Sequence, residues 1–166
     1  MYSVLFVCTA NMARSPMAEA LLRSKVQRSH IGADPEAEWR VESAGTWAIP
    51  GRPAVANTQR VLEKRGIDVS EHRSRSITRD IIDQFNLILT MERNHKEALR
   101  AAFPDQVGKI YLLSEMAGMV EDIIDPMGGT VIDFEYTASE IERMLEKGSA
   151  LIRELAGGPL PVTAND

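Results

Sequence analysis

Residues 4–16 read VLFVCTANMARSP, and this stretch decides the fold. Val4, Leu5, Phe6 and Val7 are an unbroken run of branched and aromatic residues. No polar position marks a wet face, so they predict a short strand buried on both sides in a parallel sheet. The strand ends at Cys8. Ser15 is a favoured helix N-cap and Pro16 suits the first helical position, after which Ala18, Leu21, Leu22 and Val26 recur at helical spacing. Residues 9–15 must therefore turn tightly from strand to helix. Such a turn points several backbone N–H groups inward at the positive end of a helix dipole, which makes a concavity for an anion.

Cys8 lies at the floor of that concavity. The amides that would hold an anion also stabilise a thiolate, so Cys8 is expected as an ionised nucleophile. Arg14 carries a permanent charge on a planar fork that grips two oxygens of a tetrahedral oxyanion, which a lysine point charge cannot do. Taken singly, Cys8 reads as a small buried hydrophobe and Ser15 as a cap and nothing more. With Arg14, Ser15 and Pro16 in place, the nucleophile reading is favoured.

Cysteine, five residues, arginine and serine on a first strand resembles the signature of the low-molecular-weight protein-tyrosine phosphatase family. SAGTWA at 43–48, NLILTMERNH at 86–95 and IIDP at 123–126 also fall in family order. The resemblance implies that Thr9, Ala10, Asn11, Met12, Ala13, Arg14 and Ser15 form a phosphate-binding loop. It also implies that Ser15 donates to the Cys8 thiolate, that Asn11 fixes the loop's curl, and that Ser43 and His72 brace it. Ordinary structural roles stay open for these four: an asparagine in a turn, a capping or strand-end serine, a satisfied histidine. The family usually has glycine where Ala10 stands and often a second cysteine where Ala13 stands. A left-handed backbone at Ala10 would cost about 1 kcal/mol.

Phenolate leaves phosphorus far more easily if a proton arrives as the bond breaks, so an acid is needed near the loop. Pro126 biases Asp125 to an extended conformation that projects its carboxyl group from a loop. The resemblance makes Asp125 the general acid and then base, although Asp-Pro is also a common helix stop and Glu121 and Asp122 compete. Trp47 either walls the pocket or packs on the core edge. Met127 stands where the family commonly has an aromatic residue, and its sulfur can still contact a ring. At Met12 the family has an aliphatic residue in phosphotyrosine hydrolases and threonine in phosphoarginine hydrolases, so Met12 points to phosphotyrosine.

The chain has 166 residues, of which 44% are hydrophobic and 26% charged, a composition that fits one soluble domain. A net charge of −5 argues against nucleic acid or an anionic membrane as partner. A single cysteine excludes an internal disulfide, and no apolar run is long enough to span a bilayer. The first ten residues lack a basic start, so a cytoplasmic protein without a signal peptide is expected. His30, His72 and His95 are scattered, so no metal cluster is read and no cofactor is required.

The remaining elements alternate. Residues 39–42 predict a strand broken by Ser43, Ala44, Gly45 and Thr46. A helix carrying Ala54, Val61 and Leu62 runs to Gly66, and a short helix spans 78–84. Strands at 86–90 and 109–113 flank a helix at 92–102, and Ser114 is a possible cap for a further short helix. One long helix then bears Ile141, Leu145, Gly148, Ile152 and Leu155 on one face. Residues 30–38 read as a polar loop. The expected fold is a single-domain α/β protein over 1–156, a four-stranded parallel sheet with helices on both faces, followed by a flexible tail at 157–166. The resemblance adds a flavodoxin-like strand order.

Together these readings predict a phosphatase that releases inorganic phosphate from a phosphotyrosine-containing protein or peptide through a phosphocysteine. The alternatives are a protein-arginine phosphatase, an arsenate reductase, or a module that binds phosphate without catalysis. A thioredoxin-coupled reductase relays oxidation through further cysteines, which this chain lacks.

Overall fold

β1 (Tyr2–Cys8), β2 (Trp39–Gly45), β3 (Leu87–Thr90) and β4 (Ile110–Leu112) pair in parallel, in the order β2-β1-β3-β4. The computed structural model describes residues 1–29 and 38–158. The polar loop expected at 30–38 and the tail expected from 157 therefore lie largely outside the described residues. Successive side chains along a strand face opposite ways, and β1 divides its apolar run accordingly. Val4 and Phe6, with Cys8 beyond them, pack against α1 (Arg14–Ser29), α2 (Ala56–Glu63), α6 (Val131–Lys147) and α7 (Ser149–Ala156). Leu5 and Val7 pack on the other face with Ile82 of α3 (Arg79–Ile82) and Leu99 of α4 (Arg93–Ala102). Each such side chain fully removed from water contributes about 1.5–3 kcal/mol, and Val4, Leu5, Phe6 and Val7 are all 0% exposed.

The order reverses at β1: the chain crosses to β2 on one side and returns to β3 on the other. A crevice opens beyond the carboxyl ends of strands at such a reversal. Register brings Cys8 opposite Gly45 and Val7 opposite Thr90, so the ends of three strands meet at one edge.

Several element ends shift by a few residues, and four differences from expectation bear on packing or on a residue's role. β2 does not break at Ser43 but runs on to Gly45, because small residues there let the loop after β1 pass close over them. A Cβ on Gly45 would lie 2.2 Å from the Thr9 carbonyl oxygen. Helix α1 begins at Arg14, which puts Ser15 and Pro16 inside its first turn. Pro16 costs no hydrogen bond there, since the first four N–H groups of a helix lack partners within it. The Ser15 hydroxyl therefore does not cap the helix. Ser114 is likewise not a cap: α5 (Leu113–Met116) starts one residue earlier, and the buried Ser114 hydroxyl bonds the backbone of Glu121.

The fourth difference is the long C-terminal helix, which is two helices meeting at Gly148. The apolar face continues through Ile141, Leu145 and Ile152, but the axis breaks where the chain packs on α5. A Cβ at Gly148 would stand 2.7 Å from Met116 Cβ and 2.9 Å from the Met144 carbonyl oxygen, neither of which is the end of a flexible side chain. Gly148→Ala is expected to cost about 1–3 kcal/mol through overpacking and to lower Tm by roughly 2–10 °C in a thermal melt.

Candidate active site

Past Cys8 the chain is held to its neighbours one peptide at a time. Thr46 N–H donates to the Cys8 carbonyl (2.8 Å), Trp47 N–H to that of Thr9 (3.0 Å) and Val55 N–H to that of Met12 (3.0 Å). The curl turns on Asn11, the one non-glycine residue with positive φ (58°) among the described residues. Asparagine tolerates this conformation better than most residues. The left-handed position is thus not at Ala10, and the strain expected there does not arise.

Asn11 is fully buried, and its polar atoms are engaged in several directions. Its Nδ2 donates to Ser15 Oγ (2.8 Å) and Ser43 Oγ (2.9 Å), its Oδ1 accepts Arg75 N–H (3.0 Å), and its carbonyl accepts His72 Nε2 (2.7 Å). Ser15 Oγ lies 2.9 Å from Cys8 Sγ. Because Ser15 already accepts from Asn11, its hydrogen is available to the sulfur; the other acceptor in reach, Ala44 O, is more distant at 3.4 Å. Ser43 accepts from Asn11 and donates to Glu19 Oε2 at 2.5 Å. Burial pushes the Glu19 carboxyl up, against the Ser43 hydrogen bond that pulls it down. Arg75 also donates to Ser43 O and to Glu42 Oε2. Burial opposes ionisation of Glu42, but hydrogen bonds from Arg40 and Arg75 prevail and hold its carboxyl below the ordinary value.

The Arg14 guanidinium closes the loop and is turned inward, with only 2% of the residue exposed. Its Nη1 donates to the Ile123 carbonyl (2.7 Å) and pairs with Glu92 Oε2 (2.9 Å), and its Nη2 stands 3.6 Å from Asp125 Oδ2. Glu92 is at the end of the β3 segment, and Ile123 is fastened to that segment by its own N–H to Met91 O (2.8 Å). The other Asp125 oxygen accepts Met127 N–H (3.0 Å), and the Asp125 side chain is 45% exposed. Of the competing acids, Asp122 is taken up by Arg93, whose backbone and side chain both bond it, and Glu121 is exposed. Trp47 is 76% exposed beside the loop, so it is not a core-edge residue; Met127 is 48% exposed and Met12 half-buried.

The fold thus gathers Cys8, Asn11, Arg14, Ser15, Ser43, His72 and Asp125 around one loop. Sequence reasoning assigned no role to Glu19, Arg75, Glu92 or His95. Glu92 and His95 could have been found by their spacing: they are the N-cap and N3 of a helix that opens where β3 meets the crevice, and Glu19 lies one helical turn beyond Ser15. Among the described residues no cluster of three histidine, cysteine, aspartate or glutamate side chains could hold a metal ion.

Known proteins resemble this chain in sequence and fold. Residues 3–156 match the family described as low molecular weight phosphotyrosine protein phosphatase. A protein-arginine-phosphatase of Geobacillus stearothermophilus is 35% identical over 147 residues, covering 88% of this chain and 93% of the relative. A probable low molecular weight protein-tyrosine-phosphatase, EpsP, of Ralstonia solanacearum is 35% identical over 153 residues, covering 92% and 97%. The solved low molecular weight protein tyrosine phosphatase of T. tengcongensis superposes with a TM-score of 0.83 at 36% identity, covering 93% of this chain and all of that one. Fold, loop and sequence agree: the chain belongs to the low molecular weight phosphotyrosine protein phosphatase family.

Proposed function

We propose that this protein hydrolyses phosphotyrosine in protein or peptide substrates through a phosphocysteine on Cys8. The observation that carries the reading is the Cys8 sulfur 2.9 Å from a serine hydroxyl, under a loop closed by a buried arginine that stands 3.6 Å from Asp125. Cys8 Sγ attacks phosphorus as the bond to the tyrosine oxygen breaks. Asp125 protonates that oxygen, whose conjugate acid has a pKa of about 10. Arg14 and the loop amides hold the equatorial phosphoryl oxygens, and Ser15 donates to the sulfur as it becomes the leaving group. Water then attacks the phosphocysteine and gives a proton to Asp125, the S–P bond breaks, and inorganic phosphate departs. No step calls on a metal or cofactor.

Ser43 and His72 support the site by holding Asn11. Met12, Trp47 and Met127 offer apolar surface that suits an aromatic ring. A protein-arginine substrate is the second reading, favoured by the likeness to the Geobacillus protein. A reducing, cytoplasmic setting suits a reaction that needs its only thiol unoxidised. No described helix is long and apolar enough to cross a membrane.

A panel of phosphotyrosine, phosphoserine and phosphoarginine peptides tests the substrate: phosphotyrosine should be turned over fastest, and preference for phosphoarginine would establish the second reading. Cys8→Ser should abolish turnover of para-nitrophenyl phosphate while leaving the melting curve in place. Asp125→Asn should slow phosphotyrosine about 10²-fold or more, yet slow aryl phosphates with good leaving groups much less. An equal loss across leaving groups would remove Asp125 from the acid role. Met127→Tyr should lower KM for aryl phosphates with little change in kcat, and an unchanged KM would take position 127 out of the pocket wall.

A further inference from the structure

Glu92 is the N-cap of α4 and His95 its N3 residue. His95 Nδ1 accepts the Glu92 backbone N–H at 3.1 Å, an N3 side chain reaching back to its N-cap. Satisfying the N-cap amide needs no more than that. Both side chains also reach the anion-binding loop, at its opposite ends. Glu92 Oε2 meets Arg14 Nη1 at 2.9 Å, at the loop's close; His95 Nε2 meets Thr9 Oγ1 at 2.7 Å, at its first residue after the cysteine. Since Nδ1 accepts an amide hydrogen, a neutral ring must carry its proton on Nε2, and Nε2 is the donor to Thr9.

We propose that His95 is a positioning residue for the reaction, held in its Nε2–H tautomer so that it pins Thr9 while its capping partner Glu92 pins Arg14. The proposal rests on the catalytic reading of the Cys8 loop. A protonated ring would have to release the Glu92 amide and stand as a second cation beside Arg14. Burial comes first in opposing this, then Arg14; Glu92, Asp122 and Asp125 face the ring with the opposite sign, and the balance keeps His95 below histidine's usual 6.5. A folded value depressed below the unfolded one gives stability that is complete above about pH 6.5 and is lost as pH falls from there toward the folded value. His95→Gln should flatten that acid-side loss in melts taken from pH 8 to pH 5.

Glutamine at N3 keeps the cap, since its side-chain oxygen accepts the N-cap amide, but it lacks a second nitrogen at the ring's reach. His95→Gln and Thr9→Val should each lower kcat/KM for para-nitrophenyl phosphate about five- to ten-fold, the worth of one hydrogen bond, and the double variant should lose no more than either. Thr9→Ser should restore activity. In wild-type protein at pH 7.5, ¹⁵N spectra should show His95 Nδ1 unprotonated and Nε2 protonated. Additive losses, an unimpaired Thr9→Val, or an Nδ1-protonated ring would overturn the proposal. Thr9→Val leaves the helix cap untouched, so it decides even if His95→Gln folds poorly. If the wild type turned over no aryl phosphate, the catalytic reading would fall. The ring tautomer and the weakening of inorganic phosphate binding in Thr9→Val would still decide the clamp.

Discussion

The site depends on one buried amide. Asn11 takes the left-handed conformation that bends the loop and, with its side chain and carbonyl, engages Ser15, Ser43, Arg75 and His72. A left-handed non-glycine residue costs about 1 kcal/mol by itself, and a buried polar group left unpaired costs about 1–3 kcal/mol. Each bond is worth about as much as the strain, so the several bonds to Asn11 over-determine its conformation. They also set a direction: Arg75 N–H to Asn11, Asn11 N–H to Ser15, and Ser15 O–H to the Cys8 sulfur. The polarity of the chain of donors ends on the atom where negative charge is wanted, and it is fixed before any substrate arrives.

Topology explains why these partners are at hand. Reversal of strand order at β1 leaves the Cys8 loop free to spread over the ends of β2 and β3, and each neighbour contributes what its position allows. β2 supplies Ser43 and the bare Cα of Gly45, over which Thr9 passes. The β3 side supplies Glu92, His95 and, through Met91, the anchor for the Asp125 loop. Further along, Ser114 seizes the backbone of Glu121 and fixes the approach to that same loop.

Much of this was legible in residues 4–16, because burial on both faces and a nucleophile between strand and helix leave unmistakable patterns. What the pattern could not give was division of labour among small polar residues. Ser15 and Ser114 both read as helix caps by propensity, yet both hydroxyls have tertiary partners instead, which a local rule cannot see. The strain assigned to Ala10 belongs to Asn11 for a similar reason: the residue able to be held by long-range bonds takes the costly backbone. The break at Gly148 was hidden because the apolar stripe runs through it unbroken, and only the approach of Met116 shows why glycine stands there. His95 looked isolated in sequence because its partner Thr9 is 86 residues away.

Burial separates the two halves of the proposed chemistry. Asn11, Arg14 and Ser15 are sealed at 0–2% exposure, where hydrogen bonds are strong and reorganisation is small, while Asp125 is nearly half open on a loop at the rim. This is the arrangement the two steps require. A transition-state cradle gains from rigidity, but the leaving group must come out attached to a protein, and water must then come in by the same side. A carboxylate at the rim meets both the departing oxygen and the arriving one, so a single group can give a proton in the first step and take one in the second. Anchoring at Ile123 and the Met127 amide holds it near Arg14 without burying it.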